Sequence, residues 1–182
     1  LGMSGGWKSK QEKHGHISFI CDKLTIFFDD YRNFGTFKFI NDQKLLDKKL
    51  KELGVDVLGN EYSLETVKKI FKEKRLQDKT IVVILMNQKK FCGIGNYLKS
   101  EILYACKISP YRLVSDLSDK DIENIYKYSK SIIVESYKKG GASVRDFSNL
   151  DNEKGKYTDN LKVYFKKQDP EGYKVKKEET KK

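Results

Sequence analysis

The chain has 182 residues, enough to bury a core in one domain or two small ones, and carries 37 Lys and Arg against 26 Asp and Glu, a formal net charge of +11. That surplus favours a polyanionic partner, nucleic acid before an acidic membrane surface, although lysine used as a surface filler explains it equally well. Cys21, Cys92 and Cys106 are odd in number and far apart, which excludes a disulfide framework and a C-x-x-C zinc pair and suits a reducing intracellular setting. No apolar run approaches about 18 residues and nothing resembles a signal peptide, so a soluble chain with no membrane partner is expected. The first residues, Leu1-Gly2-Met3-Ser4-Gly5-Gly6, hold no initiator methionine at position 1, and the last, Lys176 to Lys182, are a solvated charge run. The expectation is a piece of a larger protein.

In chain order, His16–Ile20 alternates imperfectly, Leu24–Phe28 is dense in β-preferring residues, and Asp22-Lys23 between them is short enough for a hairpin turn. Thr36–Ile40 reads as a third strand, after a polar and aromatic loop over Asp29–Gly35. Residues 1 to about 40 are thus predicted as the tail of a β-rich domain. From Asp42 the spacing turns helical: Leu45, Leu46, Leu50 and Leu53 repeat at about 3.6 and Gly54 ends the run. Leu64, Val67, Ile70 and Phe71 mark a second helix with Ser63 as N-cap. Ile81–Met86 is apolar nearly all round, which for a short helix means burial on several sides.

Next comes Phe91-Cys92-Gly93-Ile94-Gly95-Asn96-Tyr97-Leu98-Lys99-Ser100-Glu101-Ile102-Leu103, a tight glycine turn feeding a helix that stops near Ser109-Pro110. Ser118 and Asp121 form a capping box ahead of a long helix with Ile122, Ile125, Ile132, Ile133 and Ser136 on one face, ended by Gly140-Gly141. Asp146–Asn160 lacks periodicity and reads as a long loop, and Leu161–Phe165 returns to strand-like chemistry. No internal repeat is present.

A turn that opens a helix leaves unpaired N–H groups, which attract anions such as phosphate. On these grounds Gly93, Gly95 and Asn96, with Lys99 in the first helical turn, are candidate phosphate-binding residues. The alternative is a glycine-rich helix connection with no ligand and a merely solvated lysine. His14 and His16 share one face of a strand, but no third metal ligand lies near them in sequence.

Several blocks together resemble the formamidopyrimidine-DNA glycosylase/endonuclease VIII (Fpg/Nei) family. They are Leu1–Gly5, Lys13–His16, Asp30–Gly35, Leu53–Leu58, Leu85–Leu103 and Gly140–Phe147, in family order over nearly the whole chain. Each block alone is weak; the ordered set is specific. The resemblance implies an α+β fold: residues 1–41 as the end of an N-terminal β-sandwich domain, 42–160 as a helical domain with a helix-two-turn-helix motif, and 161–182 as the start of a C-terminal finger. It implies an intracellular base-excision-repair glycosylase and AP lyase, nuclear or cytoplasmic and with a viral source among the readings, acting as a monomer on damaged double-stranded DNA. Asn96, helped by amides around Gly93 and Gly95, matches a contact to the phosphate beside the flipped nucleotide, and His16 matches another phosphate contact. Met3, Arg32 and Phe34 match the residues that fill the gap left by the flipped base, which recovers part of the few kcal/mol of unstacking. As ordinary residues, Met3 and Phe34 could be core and Arg32 a surface ion-pair partner. Arg145, Lys156 and Tyr157 fall in the loop that covers the lesion in the formamidopyrimidine branch.

The departures are informative. Val82 stands where the formamidopyrimidine branch usually has lysine, and Tyr97-Leu98-Lys99 resembles the Nei side, which points to oxidised pyrimidines. No cysteine follows Cys106, so no cofactor is expected unless a zinc finger lies beyond Lys182; a zincless finger is the other reading. The family's nucleophile is an N-terminal proline suited to Schiff-base chemistry, assisted by a glutamate and a lysine, all before the Leu-Gly-Met block. Leu1 cannot act in that way, so this stretch is expected to bind DNA without cutting it. The rival reading is a ribosomal-type or other non-catalytic nucleic-acid binder that shares the helix-two-turn-helix.

Overall fold

The computed structural model describes residues 5–31, 33, 35–142 and 155–178, and the chain divides into two units. One takes residues 1–39 with 136–160, and the other residues 40–135 with 161–182.

The first unit is built on a three-stranded antiparallel sheet in the order β1-β3-β2, with β1 at Gly5–Lys8, β2 at Gly15–Ile20 and β3 at Thr25–Asp30. The hairpin between β2 and β3 is as predicted. The third strand is not: Thr36–Ile40 joins no ladder, and Gly5–Lys8 pairs with β3 instead. Gly5 and Gly6 carry no β signal, yet they fit opposite Asp30 and Asp29. The aromatic content of the 36–40 stretch is satisfied by ring contacts, with Phe37 edge-on to Phe28 at 4.5 Å and Trp7 5.1 Å from Phe28. The loop after β3 is closed by Asp30, whose carboxylate accepts the Gly35 N–H at 2.5 Å. A side chain at Gly35 would meet the Phe28 ring at 2.7 Å, so this position requires glycine.

The second unit holds the apolar core. Helix α1 spans Gln43–Leu50, capped by Asp42, whose carboxylate accepts from Lys44 N–H at 2.8 Å; none of its residues is buried, so its leucine stripe faces outward. Strand β4, Val55–Asp56, pairs in parallel with β5, Phe91–Cys92. Helix α2, Leu64–Phe71, has the predicted Ser63 cap, bonded to Thr66 N–H. Helix α3, Ile81–Leu85, buries four of its five residues, and α4, Asn96–Cys106, buries Leu98, Glu101, Ile102, Leu103 and Cys106. Helix α5 runs Asp119–Lys138, and its capping box is reciprocal: Asp121 N–H donates to Ser118 Oγ, and Ser118 N–H to Asp121 Oδ2. Val67, Ile81, Ile84, Leu85, Phe91, Ile94, Ile102 and Ile125 form the centre of the core.

At the end of α5 the chain turns through Gly140 and Gly141, both at positive φ, where Gly141 N–H returns to Ser136 C=O at 2.8 Å. Gly155 lies so close to Gly141 that a Cβ would sit 2.2 Å from its carbonyl oxygen. Among the described residues no helix is long and apolar enough to cross a membrane.

Candidate nucleic-acid-binding site

Three turns of backbone meet around the Gly-Ile-Gly segment. Gln88 C=O accepts the Gly54 N–H at 2.8 Å, and Lys90 C=O accepts from Val55 N–H at 3.2 Å, so the turn that follows α1 is fastened to the strand leading into the glycines. The Lys90 ammonium is held by both Glu73 carboxylate oxygens, at 2.5 and 2.7 Å, and these bonds keep the Glu73 carboxyl below its ordinary value. The Gln88 side chain then braces the turn itself: Oε1 accepts the Gly93 N–H at 3.0 Å, and Nε2 donates to the Ile94 C=O at 2.8 Å. Gly93 sits at φ +88°, open to glycine and strained for other residues, while Ile94 is wholly buried and pins the turn to the core.

Gly95 is the N-cap of α4 in extended geometry, with nothing within 4 Å of where a Cβ would stand. The space beside Gly95 at the helix start is therefore open, whereas the Gly93 amide is already used by Gln88. Asn96 follows as the first helical residue and is exposed, and its amide carries two contacts. The Lys99 ammonium donates to its Oδ1 at 2.6 Å, and its Nδ2 lies 3.4 Å from the Tyr164 hydroxyl. Lys99 is half-buried, and loss of water holds its pKa below the usual lysine value.

In the sequence Tyr164 reads only as part of a strand-like stretch and not as a site residue, and Glu101 explains its position. This carboxylate lies on the core face of α4, only 3% exposed, and accepts three consecutive N–H groups, from Lys162, Val163 and Tyr164, at 2.9, 3.0 and 2.8 Å. Such convergence satisfies a buried charge without a cation. It also corrects the expected strand at Leu161–Phe165, because amides committed to one carboxylate cannot join a ladder. The legible signal was a lone acid among Leu98, Ile102 and Leu103, where a buried charge demands partners.

Of the other candidates, His16 lies exposed on β2 of the first unit, and its neighbour His14 packs edge-on to Tyr31 at 4.6 Å. Met3, Arg32, Phe34 and Arg145 lie outside the described residues. Lys156 bridges to Ala142, and Tyr157 begins a short 3-10 turn with its side chain buried, a packing position within the stretch expected to be loop. Near the end of the described residues Gln168 bridges antiparallel to Lys174 around a turn in which Asp169 Oδ1 accepts the N–H groups of Glu171 and Tyr173, and Glu171 pairs with Lys107. The zinc site that the family resemblance raises does not fit these described residues: they hold no cysteine, and their carboxylates are already engaged by backbone and lysine.

Residues 53–148 match the formamidopyrimidine-DNA glycosylase H2TH domain, more than half of the chain. Curated relatives include formamidopyrimidine-DNA glycosylases of Listeria innocua, 35% identical over 93% of this chain and 64% of the relative, and of Rickettsia africae, 33% identical over 90% and 61%. The chain thus spans about three fifths of the length of the relatives it matches. Among solved structures, the Lactococcus lactis Fpg in complex with DNA containing an abasic site superposes with a TM-score of 0.81 at 27% identity, covering 96% of this chain and 66% of that one. The MutM (Fpg) protein of Thermus thermophilus shares the fold with a TM-score of 0.83 at 21% identity, covering 96% and 66%. The matched domain, together with the small sheets and helices of the fold, makes this a helix-two-turn-helix protein of the α+β class. The chain belongs to the formamidopyrimidine-DNA glycosylase H2TH family.

Proposed function

We propose that this chain is the DNA-gripping part of a base-excision-repair glycosylase and AP lyase that removes oxidised bases from double-stranded DNA. The observation that carries the reading is the helix start at Gly95-Asn96 with Lys99, inside the matched H2TH domain of residues 53–148, and Tyr164 brought beside it from outside that match. Asn96 Nδ2, the Tyr164 hydroxyl and the first-turn amides of α4 supply donors, and the adjoining ammonium supplies charge, for one backbone phosphate. The similar Lactococcus lactis structures are complexes with abasic-site DNA and with Fapy-dG DNA, which supports the same ligand class here.

Gripping the backbone of a flipped nucleotide is separate from the chemistry on it. In this reading Met3, Arg32 and Phe34 fill the vacated stack and His16 holds a second phosphate. Bond breaking belongs to an N-terminal amine of the whole protein, which attacks the sugar C1′, displaces the base and forms an iminium that makes elimination of the phosphate possible. Within the oxidised bases, Val82 and Tyr97-Leu98-Lys99 favour pyrimidines, while the relatives' names favour formamidopyrimidines.

Borohydride trapping of the full-length protein on thymine-glycol, Fapy-dG and abasic duplexes tests the reading. A covalent adduct on the abasic duplex and on one or both lesions is expected. Absence of any adduct with intact binding would leave a non-catalytic DNA binder.

A further inference from the structure

Lys99 breaks a local rule. A cation in the first turn of a helix faces the positive end of the helix dipole, and this one is also half-removed from water, which depresses its pKa. Residues that violate local preference without an evident structural gain concentrate at functional sites. Its bond explains what is gained. An ammonium has three donors and no acceptor, so the Asn96 atom 2.6 Å from Nζ must be the amide oxygen. Lys99 therefore decides which way the Asn96 amide faces, and Nδ2 is left on the side where the Tyr164 hydroxyl stands 3.4 Å away. The Asn96 backbone is held in turn, because its C=O accepts from Ser100 Oγ at 3.0 Å.

We infer that Lys99 is a positioning residue for Asn96: it locks the asparagine amide with its N–H2 toward the bound DNA phosphate rather than serving chiefly as an independent phosphate cation. The inference rests on the phosphate reading of Asn96 and adds the element that makes one asparagine a directed donor. Unlocked, the amide samples both flips and presents its oxygen to the phosphate in one of them, a repulsive arrangement.

A double-mutant cycle separates the possibilities, measured as affinity of the protein for a duplex with one abasic-site analogue at fixed salt. Lys99→Met keeps the alkyl stem and removes the donor; Lys99→Arg keeps a donor and the charge. Asn96→Ala and Lys99→Met are each expected to weaken binding about tenfold, about 1.4 kcal/mol, and the double variant no more than either single one. Lys99→Arg is expected to restore binding to within about threefold of the parent, a rescue that lost packing alone would not show. Unchanged affinity in Lys99→Met, or a tenfold loss that persists in the Asn96→Ala background, overturns the inference while leaving the phosphate site standing. Unchanged affinity in Asn96→Ala overturns the phosphate reading itself. Unfolding midpoints are recorded alongside, and if Lys99→Met does not fold, failure of the folded Lys99→Arg variant to hold parental affinity overturns the inference.

Discussion

Glu101 on helix α4 accepts the backbone N–H of Tyr164 at 2.8 Å, and that single acid, through two further N–H groups, sets the path of the segment that carries Tyr164 to Asn96. Removing it leaves donors that have no other acceptor in that position. Glu101→Ala is expected to cost about 3 kcal/mol of stability, the scale of unsatisfied buried groups beside a lost charged acceptor. Glu101→Gln, which keeps one acceptor oxygen, is expected to cost less. Urea unfolding of the two variants against the parent provides the measurement, and equal stability of all three would refute the clasp.

Stability and binding separate at Gly95. Its backbone is extended, at φ −101°, and a methyl group would meet nothing within 4 Å. If the proposed phosphate seats at the helix start, Gly95→Ala is expected to unfold at the parental midpoint while binding abasic duplex several-fold more weakly, because the methyl would stand in its approach. Parental affinity in that variant would show that the anion does not seat there.

Gly54 gives the opposite outcome. A Cβ there would lie 2.3 Å from the Lys90 carbonyl carbon, and backbone cannot give way as a flexible side chain can. Gly54→Ala is expected to destabilise by about 2–3 kcal/mol and to separate β4 from β5. Thermal unfolding reads the loss, and an unchanged midpoint would mean that the two turns are not packed against each other.

The Glu73–Lys90 pair predicts an acid limb. Hydrogen bonding to Lys90 lowers the Glu73 pKa from the ordinary 4.5, so the folded state favours the ionised form. Its contribution is complete above the unfolded value and is lost as pH falls through the lower folded value. The stability gap between the parent and Glu73→Gln is thus expected to be constant at neutral pH and to close below about pH 4.5. Chemical denaturation of both proteins from pH 7 to pH 3 checks it; a gap that persists at the acid end would place the contribution elsewhere.

A phosphate-gripping surface on a chain of charge +11 also requires steep salt dependence. Affinity for duplex is expected to fall linearly on a log–log plot with salt. Asn96→Ala, which removes a neutral donor, is expected to shift that line without changing its slope. Filter binding across a salt series distinguishes a shift from a tilt, and a flat line for the parent would remove nucleic acid as the partner.

Much of this was legible in the sequence. The Ser63 cap, the Ser118–Asp121 box and the glycine stop at Gly140-Gly141 are local properties, set by a few neighbouring side chains, and each stands where the pattern put it; of the apolar run Ile81–Met86, Ile81, Val82, Ile84 and Leu85 are buried while Val83 and Met86 are exposed. Strand pairing was less legible. Thr36–Ile40 has strand composition but no ladder, and Gly5–Lys8 has a ladder without strand composition, because β3 accepts whichever segment the chain path brings beside it.

For the site, the sequence by itself determined the Gly93-Ile94-Gly95-Asn96 turn and its helix, since only glycine serves at Gly93 and an asparagine-led helix start needs no distant contact. Only the tertiary structure decided that Gln88 uses the Gly93 amide, that Glu101 gathers three N–H groups from about sixty residues away, and that Tyr164 reaches Asn96. A buried carboxylate announces that it requires donors, but which segment supplies them depends on how the chain closes on itself. That closure is a property of packing and not of any local run of residues.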